Sequence, residues 1–129
     1  MRRALQVTMA ILSLAPLSFG LTNLWQGAAR FMPVEDITIA IDSQFRFQSG
    51  VYVCLALLLW WMIPRIERVT WPFRAVASGL FLGGIGRVIS MQQFGTPDGN
   101  MFSGMILELA MPVFVVWQWL IARQAAGVK

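Results

Sequence analysis

Four long stretches of this chain are almost entirely apolar, and they constrain its fold more than any other feature. They cover about residues 5–25, 47–63, 71–94 and 102–122. A helix that crosses the hydrocarbon core of a bilayer needs about 20 mostly apolar residues. Only 12% of the 129 residues are charged and the mean hydropathy is +0.65, whereas about a quarter of the residues in soluble domains are charged. The sequence predicts an all-α membrane protein, a single domain of residues 1–129 forming a four-transmembrane-helix bundle.

The first stretch has a second interpretation. The start "MRR", followed by an apolar core, is also typical of a secretory signal peptide. No small-x-small cleavage site follows this core directly. We therefore expect the stretch to stay in the protein as its first helix.

The distribution of basic residues predicts the orientation. Seven of the ten basic residues lie at the N-terminus, between the second and third stretches, or at the C-terminus; they are Arg2, Arg3, Arg65, Arg68, Arg74, Arg123 and Lys129. With four spans these three regions share one side, so the positive-inside rule predicts that both termini are cytoplasmic. The connection between the third and fourth stretches contains Asp98 and no basic residue, as expected of an outer loop.

The outer connection of residues 26–46 is longer than two antiparallel helices need. Within it, "DITIAID" alternates, with Ile37, Ile39 and Ile41 on one side. A period of two predicts a short strand or an extended segment. Two interpretations stay open: a loop packed over the outer end of the bundle, or a strand that pairs with its copy in a homodimer.

Two charged residues, Arg87 and Glu108, lie well inside predicted spans. A charge near the centre of a span costs about 2.5–3.5 kcal/mol on insertion scales. At about 1.5 Å per residue, both residues lie about 9–10 Å below the same outer end. Opposite charges at matching depth on neighbouring helices predict an ion pair.

Further polar residues fall in the same outer third of the predicted membrane. Asp42 and Arg46 have the spacing of a helical i,i+4 ion pair at the start of the second span. The candidate ligand-binding residues are Arg87, Glu108, Asp42, Arg46, Tyr52 and Ser90. The chain has no histidine and one cysteine, so we expect no zinc, copper or haem site and no other cofactor.

Small residues surround Arg87 in the third stretch. Ala75, Gly79 and Gly83 precede it at intervals of four, a spacing that lets a second helix approach closely. We assign Gly83, Gly84 and Pro112 a structural role. Pro112 removes the helical donor for the Glu108 carbonyl; this either frees the carbonyl for the guanidinium or only kinks the helix.

Four segments also carry a family resemblance: "DSQFRFQSGVY" (42–52), "FLGGIGRVIS" (81–90), "FGTP" (94–97) and "LELAMP" (107–112). They resemble a bacterial family of small four-helix inner-membrane proteins known as domain of unknown function 4345, distantly similar to DoxX-like proteins. The resemblance covers about residues 42–117. It implies a bacterial inner-membrane location and marks Asp42, Arg46, Gly50, Tyr52, Gly83, Gly84, Arg87, Ser90, Gly95, Pro97, Glu108 and Pro112.

Three classes of function remain in competition. The first is a transporter or ligand-binding protein, active as a homodimer, for a small polar, anionic or amphiphilic molecule. The second is a non-transporting accessory protein of the cell envelope in which the Arg87–Glu108 pair is a structural lock. An enzyme is disfavoured because no nucleophile motif, metal constellation or phosphate loop is present. We expect membrane lipids as partners and no nucleic acid, because the basic residues are scattered between apolar runs.

Overall fold

A computed structural model describes residues 1–97 and 99–127, so the predictions that rest on Asp98 and Lys129 lie outside the described residues. The described chain is helical and contains no strand. Its α-helices are α1 (Arg2–Gln26), α2 (Ile39–Met62), α3 (Thr70–Phe94), α4 (Gly99–Leu109) and α5 (Met111–Ala125). The predicted all-α fold is confirmed.

Four helical segments are long and apolar enough to cross a membrane; they are Arg2–Arg30, Ile39–Arg65, Thr70–Phe94 and Gly99–Ala125. In the most apolar part of each, only 17% to 22% of the residues are buried. A water-soluble fold would bury these side chains to keep them from water. The helices therefore indicate a multi-pass membrane protein, while its inner-membrane location and its orientation remain predictions.

The second helix begins eight residues earlier than predicted, at Ile39 instead of residue 47. Thr38 is its N-cap, and the hydroxyl of Thr38 accepts a hydrogen bond from the Ile41 N–H at 3.2 Å. Asp42 lies in the first turn, where a negative charge favours the positive end of the helix dipole. The strand interpretation of "DITIAID" is wrong, because capping outweighs the short alternating pattern. The connection between α1 and α2 consists of short 3₁₀ turns, Gly27–Arg30 and Val34–Asp36.

The fourth span is broken near Pro112. Helix α4 ends at Leu109, and α5 starts at Met111 with Pro112 in its first turn. Proline suits that position because the first N–H groups of a helix have no intrahelical acceptor. The predicted interruption is confirmed, and it places Glu108 in the last turn of α4.

The chain divides into two compact units. One unit, Gln6–Pro64, contains α1 and α2. The other consists of Met1–Leu5 together with Arg65–Lys129 and contains α3, α4 and α5. We call them the first and the second unit.

In the first unit, α1 and α2 run antiparallel and in close contact. A Cβ atom on Gly20 would lie 2.8 Å from the Ser49 carbonyl oxygen and 2.9 Å from a methyl carbon of Val53. The Trp60 indole N–H donates to the Ser13 hydroxyl at 2.7 Å. Only glycine at position 20 permits this approach of the two backbones.

In the second unit, α3 packs against both α4 and α5. The buried residues of α3 are Phe73, Ala77 and Gly84, and the buried residues of α4 and α5 include Met105 and Ile121. The spacings of four and seven residues follow the helical period, so these side chains lie along one side of α3. This contact positions Arg87, one turn after Gly84.

Candidate functional site

Arg87 and Glu108 form the predicted ion pair inside the second unit. The Arg87 Nε–H donates to Oε2 of Glu108 at 2.8 Å. The side chain of Glu108 is 11% exposed, and that of Arg87 is 29% exposed. A charge-assisted bond of this length is among the stronger hydrogen bonds in proteins. The pair thus joins α3 to α4 and remains partly accessible on the arginine side.

Gly84 explains why α4 comes so close to α3 at this point. A Cβ atom on Gly84 would lie 3.1 Å from Cβ of Glu108 and 3.1 Å from the side chain of Leu109. A Cβ on Gly83 would lie 3.9 Å from Glu108 Oε2, which is an ordinary contact. Gly84 is therefore the residue that lets the backbones approach, and Gly83 borders the carboxylate.

The small-residue stripe predicted for α3 is not the side of α3 that meets α4. The predicted stripe includes Ala75, Gly79 and Gly83. A Cβ on Gly79 would have no described atom within 4 Å. Ala75 is exposed. Glycines occur on several sides of α3, so spacing alone did not show which side meets α4.

Around the ion pair the surface of α3 is open. A Cβ on Gly86 would have no described atom within 4 Å. Ser90, one turn after Arg87, is exposed, as are Gly83 and Gly86. The residues that surround Arg87 on this side of α3 are therefore small or exposed.

The second predicted pair, Asp42 and Arg46, lies at the start of α2 in the first unit. The Arg46 Nε–H donates to Oδ2 of Asp42 at 2.8 Å, across one helical turn. Oδ1 of Asp42 accepts the backbone N–H of Ala28 at 2.9 Å. Nη1 of Arg46 donates to the carbonyl oxygens of Leu24 at 2.7 Å and of Trp25 at 3.0 Å. Arg46 thus satisfies carbonyl groups at the C-terminal end of α1, where a positive charge is favoured.

Gly27 makes this arrangement sterically feasible, and the sequence analysis did not identify it. Its φ is +62°, in the left-handed region that favours glycine. A Cβ at this position would overlap Oδ1 of Asp42 and lie 2.8 Å from Nη2 of Arg46. The available signal was a glycine directly after an apolar helical run, the usual position of a helix C-cap.

An open cleft of about 460 Å³ borders on the Asp42–Arg46 pair. Its other lining residues are Ile37, Thr38, Ile39 and Ser43. Asp42 and Arg46 are 30% and 43% exposed at the side chain, so both charges of this pair are screened by solvent. The cleft is a wide surface depression at the beginning of α2.

Tyr52 belongs to an aromatic cluster of the first unit. Its ring meets Phe19 edge to face, with ring centroids 5.4 Å apart. Arg30 lies over the Phe19 ring at 5.8 Å and donates to Oδ1 of Asn23 at 2.9 Å. Tyr52 is a predicted ligand-binding residue, and the structure places its ring in contact with Phe19 of α1.

The six predicted ligand-binding residues therefore fall into two groups. Arg87, Glu108 and Ser90 lie in the second unit, whereas Asp42, Arg46 and Tyr52 lie in the first. Within residues 1–97 and 99–127, no group of three or more histidine, cysteine, aspartate or glutamate side chains could hold a metal ion. Of the two charge pairs, only Arg87–Glu108 joins charged side chains from two different helices.

Residues 4–118 of the chain match the family described as Domain of unknown function (DUF4345). The chain belongs to that family. The match confirms the resemblance and extends it over α1 and the connection before residue 42. No curated protein and no solved structure matches the chain. The more distant similarity of this DUF4345 protein to DoxX-like proteins stays a prediction.

Proposed function

We propose that this DUF4345 protein binds a small anionic or amphiphilic molecule at Arg87 and Glu108, and that it moves this molecule within or across the bacterial inner membrane. The observation that carries the proposal is an intramembrane ion pair whose arginine is still 29% exposed. Ionisable residues inside spans are costly and are therefore functional candidates. The open surface at Gly83, Gly86 and Ser90 gives a ligand access to the pair.

The two charges have different roles in the proposal. The guanidinium of Arg87 attracts a carboxylate or phosphate, and Glu108 balances the charge and exchanges a proton with the ligand. The Nε–H of Arg87 holds Glu108, and the arginine side chain is 29% exposed to an approaching anion. Four spans form a narrow path at most, so we propose that transport requires a homodimer.

Asp42 and Arg46 take a supporting role, because both bond to backbone groups of the turn between α1 and α2. They hold the end of α1 against the start of α2. In the predicted orientation both pairs lie towards the outer side of the membrane.

Octanoate is a suitable probe because it combines a carboxylate with an apolar chain. The full chain is reconstituted in nanodiscs of phosphatidylcholine, and its melting temperature is measured with and without octanoate. A ligand that binds only the folded state raises the melting temperature as its concentration rises. We expect octanoate to raise the melting temperature of the wild type but not that of the double variant Arg87→Gln with Glu108→Gln. The double variant removes both charges together, so neither charge is left unpaired.

Ser103→Ala on α4 is the matched control, because the Ser103 hydroxyl bonds only to the backbone of its own helix, at Gly99. It should keep the full octanoate response. Flux of octanoate into proteoliposomes, followed with an internal pH dye, separates transport from binding. An unchanged octanoate response in a folded double variant would refute the proposed binding site, and binding without flux would refute the transport step.

The close packing of Glu108 supports a second candidate. Glu108 is 11% exposed at the side chain and lies against Gly84, as expected of a lock between α3 and α4 in a non-transporting accessory protein. In that case Glu108→Gln destabilises the protein and changes neither octanoate binding nor flux. The same experiments therefore distinguish the two candidates.

A further inference from the structure

Arg74 lies with Arg87 in the candidate span Thr70–Phe94, and within residues 1–97 and 99–127 no acidic side chain forms an ion pair with it. It lies four residues after the start of α3, and the ion pairs found among the described residues are Arg2–Glu67, Asp42–Arg46 and Arg87–Glu108. Its Nε is buried and has no hydrogen-bond partner within residues 1–97 and 99–127. A buried donor on a charged group that has no acceptor loses its hydration without compensation. Within the part of the chain that the structure describes, the charge of this guanidinium therefore has no counter-ion.

The depth of Arg74 corresponds to the phosphate layer of a bilayer. Helix α3 has 25 residues and is therefore about 37 Å long. The hydrocarbon core is about 30 Å thick, and the bilayer with its headgroups is about 40–45 Å thick. Arg74 lies four residues, or about 6 Å, from the end of this helix. From that depth its long side chain reaches the boundary between hydrocarbon and headgroups.

An exposed tryptophan lies beside Arg74. The guanidinium lies over the Trp71 ring at 5.8 Å from its centroid, and Trp71 is 78% exposed. On α5, Arg123 lies in the same way over Trp119 at 4.7 Å. Tryptophan is enriched at the interface between hydrocarbon and headgroups. The indole thus presents the Arg74 guanidinium towards the lipid.

The charge at this end of the second unit favours an anion. Arg65, Arg68 and Arg123 are exposed there. The carboxylate of Glu67 lies 3.1 Å from Nε of Arg2 and is thereby compensated. A surface with this excess of positive charge prefers anionic phospholipids to zwitterionic ones.

We propose that Arg74, presented by Trp71, binds the phosphate of an anionic phospholipid at the end of the protein where α3 begins. The neighbouring arginines attract the lipid, and Arg74 forms the direct contact. This lipid site is independent of the proposed function at Arg87 and Glu108, which lie further along α3 and on α4.

The test compares lipid retention by native mass spectrometry. The full chain is purified from membranes that contain phosphatidylcholine and phosphatidylglycerol, and the lipids bound to the wild type, to Arg74→Gln and to Arg3→Gln are counted. Arg3 is exposed and belongs to the same unit, so this control removes an equal charge without removing the Arg74 guanidinium. One arginine near a membrane surface contributes about 1 kcal/mol, which corresponds to about fivefold in affinity.

We expect the wild type and Arg3→Gln to retain phosphatidylglycerol in preference to phosphatidylcholine, and Arg74→Gln to retain about fivefold less of it. If Arg74→Gln does not fold, Arg74→Lys should fold and retain an intermediate amount of phosphatidylglycerol.

Equal retention of phosphatidylglycerol by Arg74→Gln and Arg3→Gln would overturn the proposal. A wild type that retains both lipids equally would also overturn it. Displacement of the lipid by inorganic phosphate would overturn it too, because free phosphate would then be the ligand. A lower melting temperature of Arg74→Gln with unchanged lipid retention would also overturn the proposal. The arginine would then act within the chain, for example on the buried carboxamide oxygen of Gln118.

Discussion

The Asp42–Arg46 pair and the Arg87–Glu108 pair contain the same bond, an arginine Nε 2.8 Å from a carboxylate oxygen. Asp42 and Arg46 lie one helical turn apart on α2, whereas 21 residues of sequence separate Arg87 from Glu108. The first pair forms with the first turns of α2. The second pair requires that α3 and α4 pack against each other, so it reports on tertiary structure.

The other partners of the two pairs also differ. The carboxylate and the guanidinium of the first pair bond to the backbone at the end of α1. In the second pair each charge faces the other across a glycine-lined contact, with the arginine partly exposed. The same ion pair thus completes a turn in the first unit and leaves an accessible charge in the second. Variants at these two places should separate structural from functional roles.

The largest expected effect is that of Gly27→Ala, which tests the structural role of the first pair. A left-handed conformation costs an L-residue roughly 1–2 kcal/mol. The added Cβ also displaces the Asp42 carboxylate from the Ala28 N–H, and a hydrogen bond to a charged group contributes about 1.5–3 kcal/mol. We expect the free energy of unfolding, measured by titration with SDS and followed by circular dichroism, to fall by about 3 kcal/mol.

Gly50→Ala is the control for that experiment, because a Cβ at position 50 would have no described atom within 4 Å. Alanine in a helix interior is favoured over glycine by roughly 0.5–1 kcal/mol, so this variant should be slightly more stable than the wild type. Equal stability of the two variants would show that the turn at Gly27 does not hold α1 to α2.

A direct comparison of the pairs comes from Glu108→Gln and Asp42→Asn. Each change removes one negative charge and keeps the shape of the side chain. Loss of one partner of a buried pair costs about 3–5 kcal/mol, and the partial exposure of Arg87 should reduce this to about 2 kcal/mol. Asp42→Asn keeps an oxygen for the Ala28 N–H and loses only an exposed pair, which is worth about 0–1 kcal/mol.

The salt dependence of the two variants sharpens the result. Measured by the same SDS titration, the loss in Asp42→Asn should shrink at high salt, because exposed charges are screened. The loss in Glu108→Gln should change little. If both losses shrink alike, then the pair in the second unit is as solvated as the first, and its assignment as the intramembrane site is wrong.

The sequence was sufficient to predict the in-span ion pair. Hydropathy placed Arg87 and Glu108 within predicted helices, while depth and opposite sign predicted their contact. These arguments use only the length and rise of a helix, which vary little between proteins. The break at Pro112 was predictable for a similar reason, since proline has no backbone N–H.

The turn between α1 and α2 was harder to predict. The alternation in "DITIAID" favoured a strand, while the Thr38 cap and the first-turn Asp42 favoured a helix, and the helix prevailed. The role of Gly27 depends on a carboxylate 15 positions further along the chain. Periodicity within one segment contains no information on such a contact.

A smaller loss than that of Glu108→Gln is expected for Gly84→Ala, which tests whether close packing of α3 on α4 maintains the second pair. A Cβ at position 84 would lie 3.1 Å from Cβ of Glu108, so the helices would have to separate by a few tenths of an ångström. Overpacking costs typically about 1–3 kcal/mol, and the gain in helix propensity offsets part of it, so we expect a net loss of about 1 kcal/mol. Gly79→Ala, on the open side of α3, should be neutral or slightly stabilising.

The decisive measurement for this last variant is a double-mutant cycle with Glu108→Gln. If the added methyl group acts by moving Glu108 away from Arg87, the two losses in free energy of unfolding should not add, and the interaction energy should exceed about 0.5 kcal/mol. Additive losses would mean that Gly84 is a packing residue whose contact with α4 is independent of the charge pair. The ion pair of the second unit would then keep its geometry without Gly84, whereas we expect the first pair to lose its geometry when Gly27 is replaced.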